Sequence, residues 1–188
     1  MQLYGALLLL PAALLLSTFA YLPTITTVIN SLFLPGFRGE PTAFVGLDNY
    51  RVLLDDPTFW KVARNNLLYA LGTIPTSIAL ALGMALFVNG KLPGRGLVRM
   101  AYFTPTILPM IAAANIWMFF YAPQIGLFNK LLGALGFSGV NWLGDPSVAL
   151  GSVIVMSVWK EAGFFMIFYL AALQAIPPEL KEAPDLEG

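Results

Sequence analysis

The sequence predicts an all-α fold, a polytopic bundle of transmembrane helices. Hydrophobic residues make up 58% of the 188 positions and charged residues only 11%, so a soluble globule of this size would lack polar surface. The charged residues also cluster between four long runs that contain almost none. Because roughly 20 apolar residues cross the hydrocarbon of a bilayer as a helix, each run is long enough to span it.

The first uncharged run covers residues 1–37, and its apolar part extends from about Leu3 to Leu34. A cleaved signal peptide is the alternative interpretation, but its apolar segment has about 7–15 residues and follows a basic region. This run is much longer, and no basic residue precedes it. We therefore interpret it as the first transmembrane span.

Three further uncharged runs predict spans two, three and four, at residues 65–90, 100–129 and 146–178. The last run is interrupted only by Lys160 and Glu161. Proline and glycine are tolerated inside membrane helices, because neighbouring helices and hydroxyl side chains satisfy the freed backbone groups. We therefore expect kinks at the internal prolines and glycines, among them Pro75, Gly83, Pro105 and Pro109.

The loops between the spans predict the orientation. The loop between spans two and three carries Lys91, Arg95 and Arg99 and no acid, whereas residues 38–64 balance four basic against four acidic side chains. The positive-inside rule places the short basic loop in the cytoplasm, and with it both termini. Residues 1–64 are then the first span with an external loop, and residues 65–188 form the remaining transmembrane domain. A short amphipathic helix is expected in the second external loop, around Leu127 to Leu135.

Composition also argues against several functions. The chain has no cysteine and no histidine, which removes disulfides, thiolate chemistry and the commonest base and metal ligand. The formal net charge is zero, and no run of like charges indicates nucleic acid. A membrane enzyme would have to rely on carboxylates alone, such as those of Asp48, Asp55, Asp56 and Asp145. We therefore predict no catalytic residue and no metal site.

Three long segments resemble one protein family. They are FVGLDNYRVLLDDPTFWKVARNNLLYA at residues 44–70, GRGLVRMAYFTPTILP at 94–109 and WKEAGFFMIFYLAALQAIPPEL at 159–180. In this order they resemble the segment leading into span two, the start of span three and the fourth span of permease subunits of bacterial ABC importers. The resemblance is to the type I importers, in the branch of the maltose and glycerol-phosphate systems, and it covers nearly the whole chain.

The tail resembles the ATPase-docking loop of the same family, a Glu-Ala-Ala segment followed three residues on by Asp-Gly. Pro184 stands where the family has the second alanine, and Glu187 where it has the aspartate. Inside a helix, Pro184 would remove the hydrogen bond to the Leu180 carbonyl at a cost of about 3 kcal/mol, so we expect a kink. The resemblance assigns docking to Leu180, Glu182, Ala183, Asp185, Glu187 and Gly188.

The resemblance also implies a function. Such permeases have about six spans, pair with a second permease, and bind two cytoplasmic ATPases and an extracytoplasmic solute-binding protein. They move a sugar or polyol-type solute across the bacterial inner membrane by alternating access, while ATP and magnesium are held by the ATPases and no cofactor by the permease. With four spans and an end inside the docking loop, the chain is expected to be a truncated fragment. A structural or regulatory membrane subunit that does not transport is the alternative.

Charged and polar residues within the spans are the candidates for a translocation cavity. A charge at the centre of a membrane helix costs about 2.5–3.5 kcal/mol, so Lys160 should either border a water-filled cavity or bind carbonyls of another helix. Gly163 and Phe164 follow on the same helix face. In span three, Asn115 could reach solute or hydrogen-bond to a neighbouring helix.

Aromatic residues are the candidates for stacking on a sugar ring. Trp159 precedes Lys160 directly, and Trp117, Phe120 and Tyr121 lie near the end of span three. Tryptophan and tyrosine also collect at membrane interfaces, so Trp117 and Tyr121 could instead be interfacial anchors. The candidate cavity residues are therefore Asn115, Trp159, Lys160, Gly163 and Phe164.

Overall fold

The computed structural model describes residues 2–90 and 93–176. Its α-helices are α1 (Gln2–Leu16), α2 (Leu22–Asn30), α3 (Asp48–Asp55), α4 (Pro57–Asn89), α5 (Arg95–Ile107), α6 (Met110–Phe120), α7 (Leu127–Ala134) and α8 (Ala149–Ala175). A π-helical turn, Ser17–Tyr21, joins α1 to α2, and β1 (Phe33–Pro35) pairs with β2 (Pro41–Phe44).

The chain divides into two compact units, residues 1–63 and 64–188. The division into a first-span domain and a permease domain stays a prediction.

The membrane-length helices agree with the predicted spans. Within the described residues, three helices are long and apolar enough to cross a membrane: Leu7–Asn30, Pro57–Asn89 and Ala149–Ala175. The pair α5 and α6 adds a fourth if it counts as one broken span. The predicted polytopic helical bundle is therefore confirmed, and α7 confirms the short helix expected around Leu127 to Leu135, between spans three and four.

The first unit consists of the leading helix and a small hairpin. Pro23 has no N–H to donate, and the backbone in front of it widens into the π-helical turn. The β1–β2 ladder that follows is antiparallel. The side-chain amide of Asn49 on α3 donates to the carbonyls of Ser31 and Phe33, at 2.8 and 2.9 Å, and so holds the hairpin against α3.

The core of the second unit lies between α4 and α8. Ala81, Ala85 and Val88 of α4 are fully buried and cluster with Met166 and Leu170 of α8. Small residues allow two membrane helices to approach closely, which explains the alanines at this contact. Nearer the start of both helices, the Tyr69 hydroxyl donates to Ser157 Oγ at 2.8 Å, so the two helices run in the same direction.

Span three differs from a simple kinked helix. α5 and α6 are bent by 101° relative to each other, and the backbone is extended at Leu108 and Pro109, with ψ angles of 133° and 143°. The residue before a proline is disfavoured in the helical region, which explains why the helix ends there. Pro75 and Pro105 stay inside α4 and α5 without ending them. The sequence therefore named Pro109 among several possible kinks, but it did not indicate that this one would break the span or by how much the chain would turn.

Helices α5 and α8 run antiparallel and pack closely. A Cβ atom placed on Gly163 of α8 would overlap the carbonyl oxygen of Tyr102 on α5 and would lie 3.2 Å from the Cα atom of Phe103. A glycine is therefore needed for two backbones to meet at this point. This contact positions the break between α5 and α6 beside the middle of α8.

Candidate functional site

Lys160 lies beside the break in span three. Its Nζ atom donates to the carbonyl oxygens of Leu108 at 3.2 Å and Thr106 at 3.4 Å, and Thr106 Oγ1 donates back to the Lys160 carbonyl at 3.1 Å. After the break, Ala112 N–H donates to Pro109 and not to Leu108, so the Leu108 carbonyl has no helical partner. A lysine at the carbonyl end of a helix is electrostatically favourable. These contacts offset the cost of a half-buried charge in the span.

A cavity of about 360 Å³ lies between α4, α5 and α8. It is lined by Leu80, Met84, Ala101, Tyr102, Pro105, Trp159, Ala162 and Gly163. Two of the predicted cavity residues, Trp159 and Gly163, thus line the same space. The cavity reaches α5 next to the residues that Lys160 contacts.

The other predicted cavity residues lie elsewhere. The amino group of Lys160 donates to the carbonyls of Thr106 and Leu108. The next residue, Glu161, is exposed. Phe164 is 41% exposed, and its ring packs against Phe165 and Phe168. Asn115 is exposed on α6. That these residues contact solute stays a prediction.

The aromatic residues predicted for sugar stacking form one cluster. The ring of Trp117 lies within 6.0 Å of the rings of Phe120, Tyr121 and Trp159, measured between centroids. Trp117 is only 7% exposed, and its Nε1 atom has no hydrogen-bond partner in the described part of the chain. Phe128 of α7 joins this cluster at 5.9 Å from Trp117. The cluster therefore ties α6, α7 and α8 together.

A second cavity, of about 510 Å³, borders this cluster at Tyr121 and Phe128. It is lined by Tyr121, Phe128, Trp142, Ser147, Val148, Gly151, Ser152 and Val155. The Tyr121 hydroxyl donates to the Ser152 carbonyl at 2.8 Å, and Ser152 Oγ donates to the Trp142 carbonyl at 2.9 Å. Near this cavity, the carboxylate of Asp145 accepts hydrogen bonds from the backbone N–H and the hydroxyl of Ser147. These bonds, the backbone one most strongly, hold the pKa of Asp145 below its ordinary value.

Asn129 is a structural residue that the sequence did not single out. Its Nδ2 atom donates to the carbonyls of Pro123 and Val140, at 2.9 and 2.8 Å, and its Oδ1 atom accepts from the Val140 N–H and from Trp142 Nε1, both at 3.0 Å. One side chain therefore connects α7 to both flanking stretches of the loop between spans three and four. The sequence carries one weak signal for this residue. Asn129 is the last residue of an uncharged run and comes just before a glycine-rich loop.

We expect Asn129→Ala to loosen this loop. The substitution leaves two partly buried N–H donors without an acceptor, and because an unsatisfied donor costs about 1–3 kcal/mol when fully buried, each should cost less than that here. Limited proteolysis between residues 134 and 145 should therefore become faster, and the fluorescence of Trp142 should change. Asn141→Ala is the matched control, because the exposed Asn141 side chain accepts only from the Gly144 N–H. Equal proteolysis of the two variants would contradict the role of Asn129.

The predicted docking residues Leu180, Glu182, Ala183, Asp185, Glu187 and Gly188 lie outside the described residues. Within the described ranges, no group of three or more acidic side chains is arranged to hold a metal ion.

Comparison with known proteins decides the family. No protein-family model matches the chain. It is, however, 36% identical over all of its 188 residues to the sulfoquinovosyl glycerol transport system permease protein SmoG of Agrobacterium fabrum. It is also 35% identical, over 98% of its length, to the trehalose/maltose transport system permease protein MalF of Thermococcus litoralis. The chain belongs to the permease subunits of ABC transporters. It spans 61% and 62% of the lengths of these two relatives.

A solved structure supports the same family. This ABC permease chain matches a bacterial ABC transporter that imports the acidic polysaccharide alginate, with a TM-score of 0.83 and 26% identity. The match covers the whole chain and 62% of the alginate transporter chain. As a member of this family, the permease is a multi-pass protein of the inner membrane. Permease subunits are not themselves the ATPases of such transporters.

Proposed function

We propose that this protein is the membrane-spanning permease component of an ATP-driven, binding-protein-dependent importer of a sugar or polyol-type solute. The observation that carries the proposal is the full-length similarity of the chain to permeases named for sugar transport. Solute would cross by alternating access, in which a ligand or nucleotide biases two conformations through its different affinity for each. The subunit itself would do no covalent chemistry.

The partners follow from the same proposal. A second permease would complete the passage, and two cytoplasmic ATPases would hold ATP and magnesium. An extracytoplasmic solute-binding protein would deliver the solute; the related alginate transporter has been solved with a periplasmic protein that carries an alginate pentasaccharide. Both termini of this chain would face the cytoplasm, because the basic loop around Arg95 and Arg99 would lie there.

Within the described residues, the best candidate for part of the passage is the cavity of about 360 Å³. Trp159 offers it an aromatic wall and Gly163 an approach to the backbone of α5. The remaining candidates, Asn115, Lys160 and Phe164, would contribute from positions around this cavity. A partner permease would supply the facing wall.

Solute uptake tests the proposal. The complete gene is deleted in its host, and uptake of radiolabelled maltose, trehalose and sugar glycerols is compared with that of the strain complemented with the gene. We expect loss of uptake for at least one of these solutes and recovery on complementation. If the host takes up all of these solutes, and other sugars and polyols, equally well with and without the gene, the proposal is contradicted. The alternative of a subunit that does not transport is then favoured.

The docking assignment gives a separate prediction. Glu182→Ala in the complete protein should reduce recovery of the ATPase in co-purification by about tenfold, equivalent to about 1.4 kcal/mol, because a helix seated in a groove depends on a few contacts. Glu179→Ala, nearby but outside the docking set, is the matched control. If both variants recover the ATPase equally, the docking role of Glu182 is wrong.

A further inference from the structure

Proline alone does not account for the sharp turn in span three. In this same chain, Pro75 and Pro105 lie inside α4 and α5, and both helices continue past them. At Pro109 the chain turns by 101°. At this break, unlike at the other two prolines, the amino group of Lys160 lies 3.2 Å from the Leu108 carbonyl oxygen, which has lost its helical donor.

The contact is reciprocal and lies next to a cavity wall. Thr106 Oγ1 donates to the Lys160 carbonyl at 3.1 Å, so each of these two residues binds the backbone of the other's helix. One turn along α8, Gly163 meets the Tyr102 carbonyl on the same side. Tyr102 itself and Pro105, which lies between these two contacts along α5, line the cavity of about 360 Å³.

We infer that Lys160 is a positioning residue that holds span three in its bent form, and that it thereby sets the α5 wall of this cavity. The ammonium group replaces the backbone donors that the break removes, so the bent form has no unpaired carbonyl at Leu108. Without the ammonium group, that carbonyl gains a partner only if the turn opens toward a continuous helix. The importance of the bend for transport rests on the proposed function, but the bend itself does not.

The test measures the bend directly. The 188 residues contain no cysteine, so Leu97→Cys and Met118→Cys, both at exposed positions, introduce one pair of spin labels across the break within them; any cysteine elsewhere in the complete protein is replaced by serine. With a rise of about 1.5 Å per residue and the bend of 101°, the two backbones lie about 20 Å apart, whereas a straight span would separate them by about 32 Å. Pulsed dipolar spectroscopy of the complete protein in lipid nanodiscs distinguishes these distances.

We expect Lys160→Met to add a population at the longer distance and Lys160→Arg, which keeps donors, to retain the short one. Lys130→Met, at an exposed lysine of α7, should leave the distribution unchanged. A Lys160→Met distribution identical to that of the unsubstituted protein would overturn the inference, as would an equal shift in Lys130→Met.

A second variant covers the case in which Lys160→Met does not yield folded protein. Thr106→Val removes only the reciprocal hydrogen bond and should broaden the short-distance peak, and an unchanged peak would then overturn the inference. The distances are measured without ATP or solute. A failed uptake assay would therefore contradict the proposed function and leave the role of Lys160 to be decided by the distances alone.

Discussion

Gly163→Ala should destabilise the second unit more than any other single methyl group added to α8. The new Cβ atom would overlap the Tyr102 carbonyl and crowd the Phe103 Cα atom, and both belong to backbone that cannot rotate away. Overpacking of this kind costs about 1–3 kcal/mol, and the rigid neighbour places the expected cost at the upper end of that range. The midpoint of thermal unfolding in detergent should fall accordingly, and Gly163→Val should lower it further.

A matched glycine on the same helix provides the control. Within the described residues and apart from the adjacent backbone of its own helix, no atom lies within 4 Å of a Cβ placed on Gly151 of α8, and the φ of Gly151 is not in the left-handed region. Gly151→Ala should therefore be neutral, or stabilise the helix by up to about 1 kcal/mol through its higher helix propensity. If the two variants unfold at the same temperature, the close approach of α5 to α8 at Gly163 is wrong.

Trp117→Ala should have the second large effect. Trp117 is 7% exposed and its ring contacts aromatic rings from α6, α7 and α8, so its truncation leaves a cavity at the point where these helices meet. Replacing a buried tryptophan by alanine costs about 3–5 kcal/mol. We expect a large fall in the unfolding midpoint, measured on the purified protein in detergent.

Two variants separate the role of the ring from that of the indole N–H. Trp117→Phe keeps an aromatic ring and removes a buried donor that has no partner in the described part of the chain, so it should cost much less than alanine. Met118→Ala changes the next residue, which is 59% exposed, and should have little effect. If Met118→Ala is as destabilising as Trp117→Ala, the cluster does not hold these helices together.

Hydrophobic pattern was sufficient to predict the helices. The uncharged runs at residues 1–37, 65–90 and 146–178 each coincide with most of a membrane-length helix, because a backbone in lipid must satisfy its own hydrogen bonds. Their ends differ from the predicted ones: α4 begins at Pro57, eight residues earlier than the predicted span, since charged residues are compatible with a helix that continues beyond the membrane. Hydropathy indicates the length of the apolar segment and not that of the whole helix.

The candidate site was predictable only in part. The cost of a charge in a span drew attention to Lys160, and residue type drew attention to the aromatic residues Trp117 and Trp159. Their partners were not predictable, because the carbonyl of Leu108 and the ring of Phe128 come from segments that are adjacent to them only after packing. Gly163 was noted as a neighbour of Lys160, but its contact with the Tyr102 backbone appears only when α5 and α8 are brought together.

Sequence by itself determined that this protein is a helical membrane bundle and which stretches cross the bilayer, since the absence of water in lipid acts on each segment separately. It also indicated the permease family through segments that match in order. Only the tertiary structure decided that span three turns by 101°, that Lys160 binds its exposed carbonyls and that six aromatic rings meet around Trp117 and Tyr121. Such contacts depend on the distance and angle between helices, which no pattern along a single helix contains.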